Sequence, residues 1–194
     1  MTVAGVILAA GSSTRMGRPK QLMPVRGRPL LELVVDAACA SRLEPVVVVL
    51  GAGAGRIRAG VRWGRASIVV NRRHAEGISS SLRTGTAALG AGVEAAVVIL
   101  GDQPGVSAPL LDRLLELWAG SGRPLAAMSR AGLLQPPALL AREMWGEVRA
   151  LRGDTGLRAL LRSRPELVAA LEAGPDAGVL ADVDTPDDWR RAQA

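Results

Sequence analysis

The chain has 194 residues, enough for one domain with a substantial core, and 48% of it is hydrophobic. It has no Phe or Tyr, so that core must be aliphatic, and one cysteine (Cys39) and one histidine (His74) exclude a disulfide framework, Cys-rich metal centres and His-cluster zinc sites. The formal charge is +6, but the basic residues never form a run, so nucleic acid is not expected as a partner.

The first apolar run, Val3–Ala9, reads as a buried strand that breaks at Gly11 into a small, polar, basic loop. Successive backbone N–H groups in such a loop can point at one anion, and glycine permits close approach. Arg15 and Lys20 bracket the loop, and of the 24 Lys and Arg residues only Lys20 is lysine. A compact ammonium on a flexible stem differs from a guanidinium fork, so its place at the loop's end is informative. Two readings stand at this point: a triphosphate cradle, or an ordinary turn with exposed basic residues.

Helical patterns over Pro29–Ala40, Ser79–Leu89 and Ser107–Trp118 alternate with strand-like runs at Pro45–Leu50, Ser67–Val70, Ala95–Leu100 and Pro124–Met128. Uninterrupted Val/Ile/Leu strands between helices predict a three-layer α/β/α fold around a mostly parallel central sheet, as one domain over residues 1–194. The last third predicts helices over Ala138–Val148 and Thr155–Arg162, a strand near Leu167–Leu171 and a final helix from Pro186. No apolar run reaches membrane-spanning length, and Met1-Thr2 leads into a strand without a basic leader, so a cytoplasmic protein with no membrane partner is expected.

Gly51-Ala52-Gly53-Ala54-Gly55-Arg56 matches a dinucleotide fingerprint poorly: its third glycine falls on Arg56, and it follows the second strand. A glycine-rich turn is the simpler reading. After Asn71, the triple serine Ser79-Ser80-Ser81 behind Gly77 suits a helix N-terminus, which can also hold a ribose, a base edge or a phosphate. Asp102 stands just past a buried strand, where α/β sheets collect ligands, with Gly101 before it and Pro104 behind. A carboxylate there suits Mg²⁺; the alternative is an Asx turn leading into the next helix. Gly153-Asp154-Thr155-Gly156 is a further anion-friendly turn. Asp184 or Thr185 caps the last helix with Pro186 at its first position, and Asp184 becomes a second metal carboxylate if its strand end lies beside Asp102.

Together these segments resemble a known family. Leu8-Ala9-Ala10-Gly11-x-Ser13-x-Arg15-Met16-Gly17-x-x-Lys20, followed by Leu22-x-Pro24 and Gly27-x-Pro29-Leu30-Leu31, resembles the GT-A-like nucleotidyltransferases. Gly77-Ile78-Ser79-Ser80-Ser81-Leu82-Arg83, Leu100-Gly101-Asp102-Gln103-Pro104, Gly153-Asp154-x-Gly156-x-Arg158 and Asp182-Val183-Asp184-Thr185-Pro186 narrow it. They look most like the molybdenum cofactor cytidylyltransferases among the MobA-like NTP transferases. The resemblance implies transfer of CMP from CTP to the terminal phosphate of molybdopterin or a similar phosphorylated acceptor, with release of pyrophosphate. A molybdenum enzyme or its chaperone would then be a partner.

It further implies a nucleotide site of Leu8, Ala9, Ala10, Gly11, Ser12, Ser13, Arg15, Lys20, Asn71, Gly77, Ser79, Ser80, Ser81 and Gly101. Arg15, Lys20 and Asp102 would be catalytic, with Arg15 on the β- and γ-phosphates and Lys20 near the α-phosphate. Mg²⁺ would sit on Asp102 and Asp184. Ala9-Ala10-Gly11 resembles the pyrimidine-using members, since guanylyl-transferring relatives tend to carry glycine where Ala10 stands. The chain departs from the pattern at residues 130–139, beside the expected acceptor, where the usual aromatic is absent. A sugar-phosphate nucleotidyltransferase and a non-catalytic cofactor-binding accessory protein are the alternatives. An oxidoreductase reading has Gly51–Gly55 as its only local support.

Overall fold

The computed structural model describes residues 1–13, 18–173 and 180–193. Strand β1 (Val3–Ala9) leads to a small hairpin, β2 (Pro24–Val25) and β3 (Arg28–Pro29), and then to helix α1 (Leu30–Ala40). There follow β4 (Val46–Leu50), α2 (Ala54–Gly60), β5 (Ser67–Val70), α3 (Ile78–Ala87), β6 (Ala95–Leu100) and α4 (Ala108–Ser121). The remainder is β7 (Leu125–Arg130), β8 (Leu133–Ala141), α5 (Trp145–Ala150), α6 (Leu157–Ser163), β9 (Val168–Glu172) and α7 (Pro186–Ala192).

The main sheet has the order β5-β4-β1-β6-β8-β7-β9, and only β8 runs against the others. Strand order reverses at β1, with β4 on one side and β6 on the other, so a crevice opens at the carboxyl ends of β1 and β6. Alternation along the strands divides the core in two. Ile7, Val48, Val97 and Ile99 face Leu31, Val34, Val35, Leu111 and Leu114 of α1 and α4. Val6, Val49 and Val98 face Leu82, Trp145, Val148, Leu157 and Leu161 of α3, α5 and α6. Each of these buried aliphatic side chains contributes ~1.5–3 kcal/mol over its exposed state. A third, small cluster of Val25, Leu30 and Val183, with Leu33 and Trp189 packed on it, docks α7 on the β2–β3 hairpin. There Trp189 Nε1 donates to the Pro24 carbonyl at 2.8 Å.

The expected three-layer α/β/α architecture is found, with two corrections in detail. The helix expected over Ala138–Val148 is divided: residues to Ala141 belong to β8, paired with both β6 and β7, and the helix begins only at Trp145. Of residues 51–56, read as a glycine-rich turn, Ala54 to Arg56 belong instead to α2, whose N-cap Gly53 has φ +67°. At Gly51 a Cβ would come within 2.6 Å of the Ala10 carbonyl oxygen, so this glycine brings the β4 loop against the end of β1. No described helix is long and apolar enough to cross a membrane.

One buried charge ties the layers at the far side of α1. Glu32, almost wholly buried, accepts from Arg62 Nη2 at 2.8 Å, from the Arg62 backbone N–H at 3.0 Å and from Arg28 Nη2 at 2.9 Å. The Arg62 hydrogen bonds, helped by Arg28 and opposed by burial, hold the Glu32 carboxyl at about 2. A depressed carboxylate stabilises the fold above its unfolded pKa and loses that contribution as pH falls through the folded value. Glu32→Gln should therefore lower stability by roughly 2 kcal/mol at pH 7, a buried network discounted for the exposed Arg62. The gap in urea midpoint between variant and wild type should narrow steadily between pH 4.5 and about pH 2.

Candidate active site

The end of β1 is plugged by a side chain that sequence reasoning passed over. Gln21 is buried, and its Nε2 donates to the carbonyls of Ala9 at 3.1 Å and Gly11 at 3.2 Å. Its Oε1 accepts from Ser13 Oγ at 3.2 Å, and the same Oγ accepts from the Lys20 backbone N–H at 3.1 Å. This short network satisfies backbone groups that the strand leaves open, and it fixes where Lys20 starts. Arg15 falls outside the described residues.

From there the Lys20 ammonium reaches two carboxylates, Asp102 Oδ2 at 2.6 Å and Asp184 Oδ1 at 2.7 Å. Asp102 is placed by the end of β6. Gly101 N–H donates to the Leu8 carbonyl at 2.9 Å, and a Cβ on Gly101 would stand 2.9 Å from Ala9 Cβ, so only glycine keeps the two strand ends this close. Asp184 is placed by α7. Thr185 and Asp188 form a reciprocal capping box, and Asp188 also accepts from the Asp184 backbone N–H. Thr185 thus takes the capping role that the sequence left open between it and Asp184.

A second glutamine joins the two carboxylate-bearing segments. Gln103 is fully buried, and its Nε2 donates to Asp182 Oδ1 at 2.9 Å and to the Leu180 carbonyl at 3.3 Å. The Val183 N–H donates to the Asp102 carbonyl at 2.9 Å alongside. Residues 180–184 are not the strand end expected from the sequence, but these bonds bring the segment against the end of β6, so Asp184 does meet Asp102. Both glutamines stand beside residues chosen for their charge, and an amide flanking such a residue was the signal available.

Burial works to lower the Lys20 pKa, but the charge and hydrogen bonds of Asp102 and Asp184 more than offset it, so the ammonium lies above the ordinary lysine value. Burial pushes the Asp102 carboxyl up, and Lys20 pulls it only part of the way back. Asp102 Oδ1 is buried with no hydrogen-bond partner among the described residues. An orphaned carboxylate oxygen beside a second carboxylate is suited to a hard cation. Among the described residues no group of three or more His, Cys, Asp or Glu could hold a metal, so the remaining ligands would be substrate oxygens and water.

A cleft of about 450 Å³ opens on Lys20 and Asp102. Leu8, Ala9, Ala10, Gly11, Ser12 and Lys20 line it from the β1 side, Gly77 and Ser81 from α3, and Gly101 and Asp102 from β6. Four residues of the expected nucleotide set lie behind this lining. Ser13 holds Lys20 as described, Ser79 is fully buried, and Asn71 Nδ2 donates to the hydroxyls of Ser80 and Ser81 at 2.8 and 3.1 Å. Asn71, Ser79 and Ser80 therefore shape the wall. The N-cap of α3 is Gly77, at φ +95°, and the serines occupy the first turn. His74, the single histidine, lines the cleft, as does Asp154.

The chain matches the MobA-like NTP transferase domain over residues 5–182. It is 36% identical to nicotine blue oxidoreductase of Paenarthrobacter nicotinovorans, over 97% of this chain and 95% of the relative. It is 33% identical to purine catabolism protein PucB of Bacillus subtilis, over 98% and 97%. Molybdenum cofactor guanylyltransferase of Rhodobacter capsulatus is 29% identical over 100% and 96%. Among solved structures, Rv0371c of Mycobacterium tuberculosis superposes with a TM-score of 0.87 at 32% identity, over 100% of this chain and 98% of that one. A complex of Rv0371c with manganese gives 0.82 at 30% identity over the same shares. The fold and a match that spans most of the sequence agree: the chain belongs to the MobA-like NTP transferase family.

Proposed function

We propose that the protein transfers CMP from CTP to the terminal phosphate of molybdopterin or a similar phosphorylated acceptor. The observation that carries the reading is the Lys20 ammonium held between Asp102 and Asp184 at the mouth of the cleft. In this reading an acceptor phosphate oxygen attacks the α-phosphorus of CTP. The bond to the β-phosphate oxygen breaks, and pyrophosphate leaves with the electron pair. Such transfer needs positioning and positive charge more than a covalent nucleophile. Lys20, charged at neutral pH, offsets the negative charge that grows on the α-phosphate oxygens. The loop after β1, including Arg15, wraps the triphosphate, while Gly77 and Ser81 border the base and ribose. Asp102 and Asp184 would hold Mg²⁺, which when bound supplies further neutralisation of phosphate charge. That Rv0371c has been solved as a complex with manganese supports a divalent cation in this reading.

The test is pyrophosphate release with each of the four nucleoside triphosphates in the presence of molybdopterin. Release with CTP above the others is expected; tight nucleotide binding without release from any of them would make the protein a binding accessory. The base preference is traced to Ala10, a mostly buried residue that lines the cleft. Ala10→Gly should raise kcat/KM for GTP relative to CTP by about tenfold or more, the worth of one methyl group in a pocket. An unchanged ratio would remove Ala10 as the selector.

A further inference from the structure

A second cleft, of about 650 Å³, is distinct from the one opening on β1. Its lining shares no residue with that cleft, but it includes close chain neighbours of both carboxylates. Pro104 and Gly105, two and three residues past Asp102, line it, and so do Asp182 and Val183, which precede Asp184. Its apolar wall is Val25, Leu33 and Val183, and its charged lining is dominated by arginine. Three separate elements deliver those arginines: Arg26 from the β2–β3 turn, Arg130 from the end of β7 and Arg191 from α7.

Their partners differ. Arg191 pairs with Asp188, and the cleft's other acid, Asp182, is engaged by Arg158 at 3.2 Å and by Gln103. The guanidinium groups of Arg26 and Arg130 have no hydrogen-bond or ion-pair partner among the described residues. Arg26 also occupies a backbone position that arginine disfavours. It has φ +50° and is followed by Gly27 at φ +76°, a two-residue hairpin turn whose first place favours Asn, Asp or Gly. No contact of its guanidinium within the described chain offsets that strain.

We infer that this second cleft receives the acceptor, and that the acceptor is an organic phosphate carrying a second anionic group, held by Arg26 and Arg130. The inference rests on the nucleotidyl-transfer reading. The attacking phosphate must reach the cluster of Lys20, Asp102 and Asp184, which leaves the two unpartnered guanidiniums to be matched by charge elsewhere on the molecule. Guanidinium forks suit carboxylate and phosphate alike, and the valine and leucine wall suits the carbon framework between the anions.

The probe is 2-phosphoglycolate, a phosphate joined to a carboxylate, titrated calorimetrically into the full chain with and without a non-hydrolysable CTP analogue. Wild type should bind one equivalent whether or not the analogue is present. The double variant Arg26→Gln, Arg130→Gln should bind it at least about tenfold more weakly, with its affinity for the analogue unchanged. Methyl phosphate, with a single anionic group, should bind wild type about tenfold more weakly as well. No binding by wild type, equal binding by the double variant, or displacement of phosphoglycolate by the analogue would each overturn the inference. Failure of the analogue to bind, with the arginine dependence intact, would instead sink the nucleotide reading and leave the anion site standing.

Discussion

Lys20→Ala and Asp102→Ala should each reduce pyrophosphate release about 10³-fold or more while leaving the far-ultraviolet circular dichroism and the cooperative melt in place. The Lys20 ammonium is the one described cation bonded to both carboxylates, at 2.6 and 2.7 Å, and the loop network through Ser13 and Gln21 fixes its base. Without it, Asp102 and Asp184 face each other as uncompensated like charges, and nothing at that point offsets charge growing on the α-phosphate. Without Asp102, Lys20 turns wholly to Asp184, and the orphaned oxygen suited to a cation is gone. Rates near wild type in either variant would refute the catalytic roles of Lys20 and Asp102. The fold should survive both changes, because the two aliphatic cores on either face of the sheet contain neither residue.

The second large effect is expected at Gly77, where the demand comes from the backbone. Its φ of +95° and ψ of 175° belong to a region that essentially only glycine enters. A Cβ there would stand 2.3 Å from the carbonyl carbon of Gly153 and 2.6 Å from the amide nitrogen of Asp154. Neither atom can move without shifting the turn that leads into α6. Gly77→Ala should cost about 3 kcal/mol from strain and overpacking combined. That corresponds to a fall of roughly 10 °C in Tm for a chain of this size, read by scanning calorimetry. Because Gly77 and Asp154 both line the cleft proposed to bind nucleotide, nucleotide affinity should fall with it. A melt within about 2 °C of wild type would mean that the two segments do not meet this closely.

Much of the sheet was legible because its central strands are buried on both faces and so consist of little but Val, Ile, Leu and Ala, as in Val46–Leu50 and Ala95–Leu100. The misreading of residues 138–141 has a local cause. Ala-Leu-Leu-Ala has high helix propensity, and a short apolar run cannot be assigned by period alone. The vacancy between β6 and β7 decides it, since pairing on both sides satisfies the backbone that a helix would have satisfied internally. In α2, Ile57 is the single buried residue, too little to give a periodic signal.

At the site, Lys20 stood out as the only lysine and Asp102 by its position past a buried strand. That one ammonium would bridge two acids 82 residues apart in the chain could not be read from either neighbourhood. Gln21 and Gln103 were equally hidden. Their amides do nothing conspicuous in sequence, and their importance lies in which distant carbonyls and carboxylates they meet.

The docking of α7 by its small apolar cluster bears on how the protein fails. Asp184 is held in place by Val183, Trp189 and a capping box, whereas Lys20 and Asp102 are anchored to the ends of strands in the main sheet. Few buried groups secure that docking, so the helix can open locally at a free-energy cost well below that of global unfolding. The Lys20 bridge then loses one end while both large cores stay closed. If the Lys20 bridge serves the proposed transfer, that activity should be lost in rising urea before the sheet melts, and bound substrate should delay its loss more than the melt.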